Sequence, residues 1–386
     1  MRAWLGLAAL WATATLDAQG PPDPGSVHVS LGFGVDTSLT PVRQIFQTWM
    51  IFLNDRPDSN HASAVWSPSE QRRYRNPVLG RDYIFQGFPG AFHTITVLAI
   101  APVVPGEDSV YVIKTLIGDV YQPDHEVKVL GVLRVYAQRE GNRWVLSNGI
   151  DRLTVHWVRQ RIGGITFVFP PWSTLDRRRA TRAAKFADSL AAAFSLPPAR
   201  LTYYLAETPE EMFRLQGLEL VPEPSGAGAG AVRADGVNGI VFGGSAGLQE
   251  GYLHEIAHVV LAPLALPGRT HWLAVEGITT WTAGWQGRAF SELMPDFAFY
   301  LKNHWAFTFD SVLQQAAPPG PLDPRYAVGA VMVQLASEHG GLPAIRSLFR
   351  TGTTPLEVRQ GFAQALGIAP ASLDAVWRRK VLSYAR

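Results

Sequence analysis

The chain has 386 residues, of which 47% are hydrophobic and 17% charged, a balance that suits two or three globular domains with sizeable cores. Lysine plus arginine number 34 against 32 for aspartate plus glutamate, so the charge balance gives no reason to invoke nucleic acid or an anionic membrane surface as a partner. The absence of cysteine excludes disulfides, thiol ligands, thiol nucleophiles and a lipid anchor on an N-terminal cysteine.

The first residues read as a signal peptide over 1–18. Arg2 supplies the positive start, residues 3–14 are apolar, and Leu16-Asp17-Ala18 before Gln19 forms a cleavage site, with Ala12-Thr13-Ala14 as the alternative. The apolar run is short for a membrane span, and no other segment reaches the ~18 uninterrupted apolar residues that a span needs. The mature protein is therefore expected to be exported, periplasmic or secreted, without stable insertion in a membrane. An exported chain without disulfides must rely on core packing.

Residues 20–25, rich in proline and glycine, form a linker. A helix then starts at Thr40, which can cap it, with Pro41 in the first turn. Val42, Ile45, Phe46, Trp49, Met50 and Leu53 recur on one face at helical spacing. Strands are expected over 94–101, 110–117, 127–136 and 143–146, the last after a turn at Glu140-Gly141-Asn142. A helix followed by a curved antiparallel sheet resembles an NTF2-like domain. The resemblance implies an accessory domain over 27–160, and no cluster of acids or histidines argues for chemistry in it.

A second domain is expected over 164–386. Its first elements are a strand over 165–169 ending at Pro170-Pro171, an alanine-rich helix over 175–194 and a strand over 201–205. Arg177-Arg178-Arg179 opens that helix and reads as a solvated patch. Thr208-Pro209-Glu210-Glu211 has the form of a capping box. A glycine- and alanine-rich loop covers 225–230, and residues 239–243 read as a strand. Later helices are expected over 326–338, 342–349, 355–365 and 370–384.

Between these lies the string that carries chemistry, Leu253-His254-Glu255-Ile256-Ala257-His258. Histidines four apart on a helix lie one turn above each other, so both imidazoles can converge on one metal ion. The intervening Glu255 can reach a water on that metal. A catalytic zinc keeps three protein ligands and one open position. Glu276, in Trp272-Leu273-Ala274-Val275-Glu276-Gly277, follows on a second helix after the breakers Pro263, Pro267 and Gly268.

These residues resemble the gluzincin metallopeptidases, which include thermolysin and the M1 aminopeptidases. The resemblance implies an α+β fold for the second domain: a small sheet, a zinc-binding helix and a C-terminal helical subdomain. It also implies one zinc per chain, held by His254, His258 and Glu276, with Glu255 as general base. Tyr326-Ala327-Val328-Gly329-Ala330 is similar to the Tyr-x-x-Gly-Ala string whose tyrosine donates to the oxyanion in M1-type enzymes. That assigns Tyr326 as a catalytic donor; a core tyrosine is the alternative, and His271 is another possible donor. In gluzincins the strand before the zinc helix is an edge strand that pairs with extended substrate. Residues 240–242 take that place, either at an edge or as an interior strand.

The sequence departs from the family at three points. Two residues separate Trp272-Leu273 from Glu276, one more than in the Trp-Leu-Asn-Glu-Gly pattern of the M1 enzymes. Thr280 occupies the place of the aspartate that thermolysin relatives carry four residues after the glutamate ligand. The Gly-x-Met-Glu-Asn string that holds a free N-terminus in M1 aminopeptidases is absent. The expected activity is therefore that of a zinc endopeptidase acting on peptide or protein substrates. The alternative is an exported zinc-binding or interaction protein whose metal site is structural or silent.

Overall fold

Two open sheets and twelve helices make up the described part of the computed structural model, a mixed α/β fold. The structure describes residues 29–55, 63–73, 93–121, 126–220, 230–235, 238–244, 247–266, 268–314 and 323–385. The expected signal peptide and linker, and the loop over 225–229, lie outside them. No described helix is long and apolar enough to cross a membrane.

The first sheet contains β1 (Val29–Leu31), β2 (His93–Pro102), β3 (Val110–Tyr121), β4 (Glu126–Glu140) and β5 (Arg143–Ser147) in that order, each hydrogen-bonded to the next. Only β1 runs parallel to its neighbour. Register shifts at Val97/Ala99 and Ile117/Gly118 mark bulges, which bend and twist a sheet. The helix α1 (Thr40–Asp55) buries Val42, Ile45, Trp49, Phe52 and Leu53. The short helices α2 (Pro68–Arg73) and α3 (Ile150–Leu153) flank the sheet. Glu70 of α2 is buried and accepts from the Trp66 indole at 2.7 Å and from the backbone and side-chain amides of Asn148. It thereby ties α2 to the end of β5.

The second sheet starts with the hairpin β6 (Val158–Ile162) and β7 (Ile165–Phe169). The helix α4 (Arg177–Ala193) follows, capped by Asp176, which accepts from the Arg178 and Arg179 amides. Five of its six buried residues are alanines, and such small side chains let a helix approach its sheet closely. Next come β8 (Arg200–Leu205) and α5 (Pro209–Leu215), where Thr208 caps the helix as the sequence requires. The strands β9 (Leu218–Leu220), β10 (Gly230–Asp235) and β11 (Asn238–Gly243) follow. The sheet order is β10-β11-β8-β7-β6, with a parallel centre β11-β8-β7 and antiparallel outer strands. The strand before the zinc-motif helix is thus interior, which decides between the two readings of residues 240–242, and among the described residues the outer place belongs to β10.

Strand β9 leaves this sheet and pairs with β4 of the first. Val168, Tyr204, Ile240 and Phe242 on one face of the second sheet share a core with Trp49, Trp66, Ile113 and Leu146. The opposite face, with Ile165, Phe167, Tyr203 and Val241, packs in the core of the helical half.

That half contains α6 (Leu253–Leu261), α7 (Trp272–Ala283), α8 (Phe290–Asn303), α9 (Phe309–Leu313), α10 (Pro324–Leu348), α11 (Pro355–Ala365) and α12 (Leu373–Leu382). Gly340 and Gly341 depart from helical geometry inside α10, with Gly341 at φ 60°, which divides it where the sequence separates two helices.

Candidate metal centre

The helix α6 carries the His-Glu-x-x-His string. The turn before it is pinned from the sheet, because the buried Tyr203 hydroxyl of β8 donates to the Gln249 carbonyl. Gly239 of β11 lies under the helix, and a Cβ there would stand 2.2 Å from Val259 Cγ1. The close strand–helix contact therefore needs a residue without a side chain.

The helix α7 begins at His271, whose Nδ1 accepts from the Leu273 amide at 3.2 Å. Burial lowers the pKa of His271, which keeps the ring neutral and able to accept there. The structure thus employs His271 as a helix cap. At the start of α10, Asp323 accepts from the Arg325 amide at 2.9 Å and forms an ion pair with its guanidinium, which fixes the turn bearing Tyr326. The two helices touch at glycines: a Cβ on Gly277 would lie 2.5 Å from the Gly329 carbonyl carbon.

These elements bring three ligand atoms together. His254 Nε2 lies 3.2 Å from His258 Nε2, and Glu276 Oε2 lies 3.3 Å from each. An ion about 2.0–2.1 Å from each ligand in tetrahedral geometry would hold ligand atoms about 3.3 Å apart. The triangle thus has the spacing of three corners of a zinc tetrahedron. The donor set, two imidazoles and one carboxylate, is also one that zinc accepts. Among the described residues this is the group of histidines and acids able to hold a metal ion.

The tautomer of His254 follows from its other nitrogen. Nδ1 lies 2.8 Å from the Gly284 carbonyl, which can only accept, so Nδ1 carries the proton and Nε2 presents a lone pair to the triangle. Gly284 ends α7 at φ 75°, a conformation that favours glycine. Thr280, at the position of the expected but absent aspartate, is buried, and its hydroxyl has no hydrogen-bond partner. A backbone carbonyl therefore orients the first histidine here, and no carboxylate is needed.

Burial disfavours a charge on His258, but the Glu276 carboxylate outweighs burial and raises the pKa to about 8. Burial acts to raise the pKa of Glu276, and the two histidines overcome it and hold the carboxyl well below the usual range. A divalent cation would satisfy all three donors at once.

Glu255 is buried beside His254, and its charge raises the pKa of Tyr326, Tyr252 and His258. Tyr326 stands with its ring centroid 6.0 Å from that of His254 and 6.2 Å from that of Trp285. Burial and the carboxylates of Glu276, Asp323 and Glu255 push its phenol upward, so the hydroxyl stays protonated and able to donate. Tyr252 also stacks near His254, with ring centroids 6.3 Å apart. Its phenol is likewise pushed up by burial and by Glu255. Neither Tyr252 nor Gly284 is singled out by the sequence. The only local signal for Tyr252 is an aromatic residue two positions before the first histidine, and Gly284 offers none.

No family model matches this chain, and no curated protein matches it. Among solved structures it is similar to an aminopeptidase N family protein from Idiomarina loihiensis, with a TM-score of 0.31 and 11% identity. The likeness covers 73% of this chain and 54% of that one, so this chain spans about half the length of its structural neighbour.

Proposed function

We propose that the chain is a zinc-dependent peptide-bond hydrolase, an endopeptidase exported to the cell envelope or the extracellular space. The observation that carries this reading is the 3.2–3.3 Å triangle of His254, His258 and Glu276, with the buried Glu255 on the same helical turn. His254, His258 and Glu276 would hold the zinc, which would supply Lewis acidity to acidify a water and polarise a substrate carbonyl. Glu255 takes the water's proton and delivers it to the leaving amine. The Tyr326 phenol donates to the oxygen on which charge develops. The leader-like residues 1–18 support export.

Interior placement of β11 removes one argument for strand addition there. Strand addition falls instead to β10, the outermost described strand beside β11. The absent N-terminus-binding string supports internal cleavage. Incubation of the protein with a broad peptide library tests the reading. Wild type should cleave and Glu255→Gln should not, with zinc retained in both. Equal inactivity of the two would favour a structural or silent metal site.

A further inference from the structure

The face of the second sheet that looks away from the metal centre ends in a cavity of about 310 Å³, at the junction with α2. Four arginines line it: Arg72 and Arg73 at the end of α2, Arg161 of β6 and Arg200 of β8. Among the described residues no acidic side chain lines it. Arg73 is paired with Asp151 at 2.7 Å, and among the described residues Arg72, Arg161 and Arg200 have no ion-pair partner. Strand register explains the convergence. Arg161 pairs with Thr166 and Thr166 with Thr202, so these three side chains stand in one row across β6, β7 and β8. Side chains two apart on a strand share a face, which places Arg200 and Tyr204 on either side of Thr202 in the same surface.

Tyr204 is the second observation. Its side chain is fully buried and lines the cavity, yet its hydroxyl completes no hydrogen bond, although the Arg159 guanidinium approaches it. A buried hydroxyl left without a partner calls for a ligand or an ordered water. Guanidinium forks suit oxyanions of phosphoryl type. A cavity of this size exceeds what a bare phosphate fills and falls at the lower end of small-molecule sites, roughly 300–1,000 Å³. The hydroxyls of Thr166, Thr202 and Tyr204 would meet a polar, hydroxyl-bearing body.

We propose that this cavity is a second binding site, for a phosphorylated polyol, with the arginines on the phosphoryl group and the three hydroxyls on the polyol. A soluble sugar phosphate and a polyol phospholipid headgroup share that chemistry. The site is separate from the metal centre and does not depend on the hydrolase reading.

Calorimetric titration of the full, zinc-loaded chain with glucose 6-phosphate at physiological salt tests the soluble source, and vesicles with and without phosphatidylglycerol test the lipid source. We expect one of the two to bind, with a dissociation constant of about 1 mM or lower for the sugar phosphate, and glucose or neutral vesicles not to bind. Arg161→Gln/Arg200→Gln should weaken binding by roughly tenfold or more. Arg161→Glu, at an exposed position on the outer strand, should do the same and serves if the double variant fails to fold. His254→Ala/His258→Ala should bind as wild type does. The proposal is overturned by no binding to either probe, by binding that survives the arginine variants, or by binding that disappears with the metal ligands.

Discussion

Gly277 and Gly329 lie against each other where α7 crosses α10: a Cβ on Gly277 would stand 2.5 Å from the Gly329 carbonyl, and one on Gly329 would stand 2.9 Å from the Gly277 Cα. Gly277 follows Glu276, and Gly329 is one helical turn beyond Tyr326. One contact thus sets the distance between the helix that carries Glu276 and the helix that carries Tyr326. Gly277→Ala or Gly329→Ala must push the helices apart. We expect a loss of roughly 1–3 kcal/mol in stability, typical of overpacking, together with weaker zinc retention for Gly277→Ala. Denaturant unfolding and metal analysis of the same preparations check both parts.

Tyr326→Phe keeps the ring beside His254 and removes only the donor. A donor to a developing oxyanion binds the transition state better than the ground state, so its loss lowers turnover more than it alters substrate binding. Turnover on a cleaved peptide should fall about a hundredfold or more, with little change in Michaelis constant or zinc content. Unchanged turnover would return Tyr326 to a packing role and make Tyr252, which also stacks near His254, the next phenol to test.

Glu70 gives a pH signature away from the metal. Burial raises its pKa from 4.5 to about 7, against the opposing hydrogen bonds from Asn148 and Trp66. The folded state therefore holds this proton more tightly than the unfolded chain does. The stabilisation is fully present below about pH 4.5 and is lost as pH rises through about 7, an effect of up to roughly 3 kcal/mol. Glu70→Gln can keep the accepting oxygen without the charge. Its melting temperature should fall less than that of wild type between pH 5 and pH 8, and parallel slopes would contradict this assignment.

The candidate metal cluster was legible in the sequence because its key relation is local. Four-residue spacing on a helix brings His254 and His258 together wherever that helix sits. Glu276 and Tyr326 could be placed only by resemblance, since their approach depends on the Gly277–Gly329 crossing. The partner of His254 was not legible, because a backbone carbonyl at the end of another helix leaves no mark on residue type. The position of β11 stayed open for a similar reason. Its outer neighbour β10, Gly230–Asp235, begins in a glycine- and alanine-rich stretch with little strand periodicity. The three-residue β9 is shorter than any pattern that could announce it, yet it joins the first sheet.

Internal cleavage is the least local of the expectations, and N-terminally blocked peptides test it. The protein should cut them at internal bonds. Release of single residues from free N-termini alone would overturn the endopeptidase reading while leaving the zinc assignment untouched.

The central claim is that His254, His258 and Glu276 hold one zinc ion. Elemental analysis of protein purified without chelators addresses it directly. Wild type should contain one zinc per chain. Glu255→Gln should retain it, whereas His254→Ala/His258→Ala and Glu276→Ala should lose it, with folding verified by circular dichroism. Stoichiometric zinc in the folded double-histidine variant, or none in zinc-supplied wild type, would contradict the account.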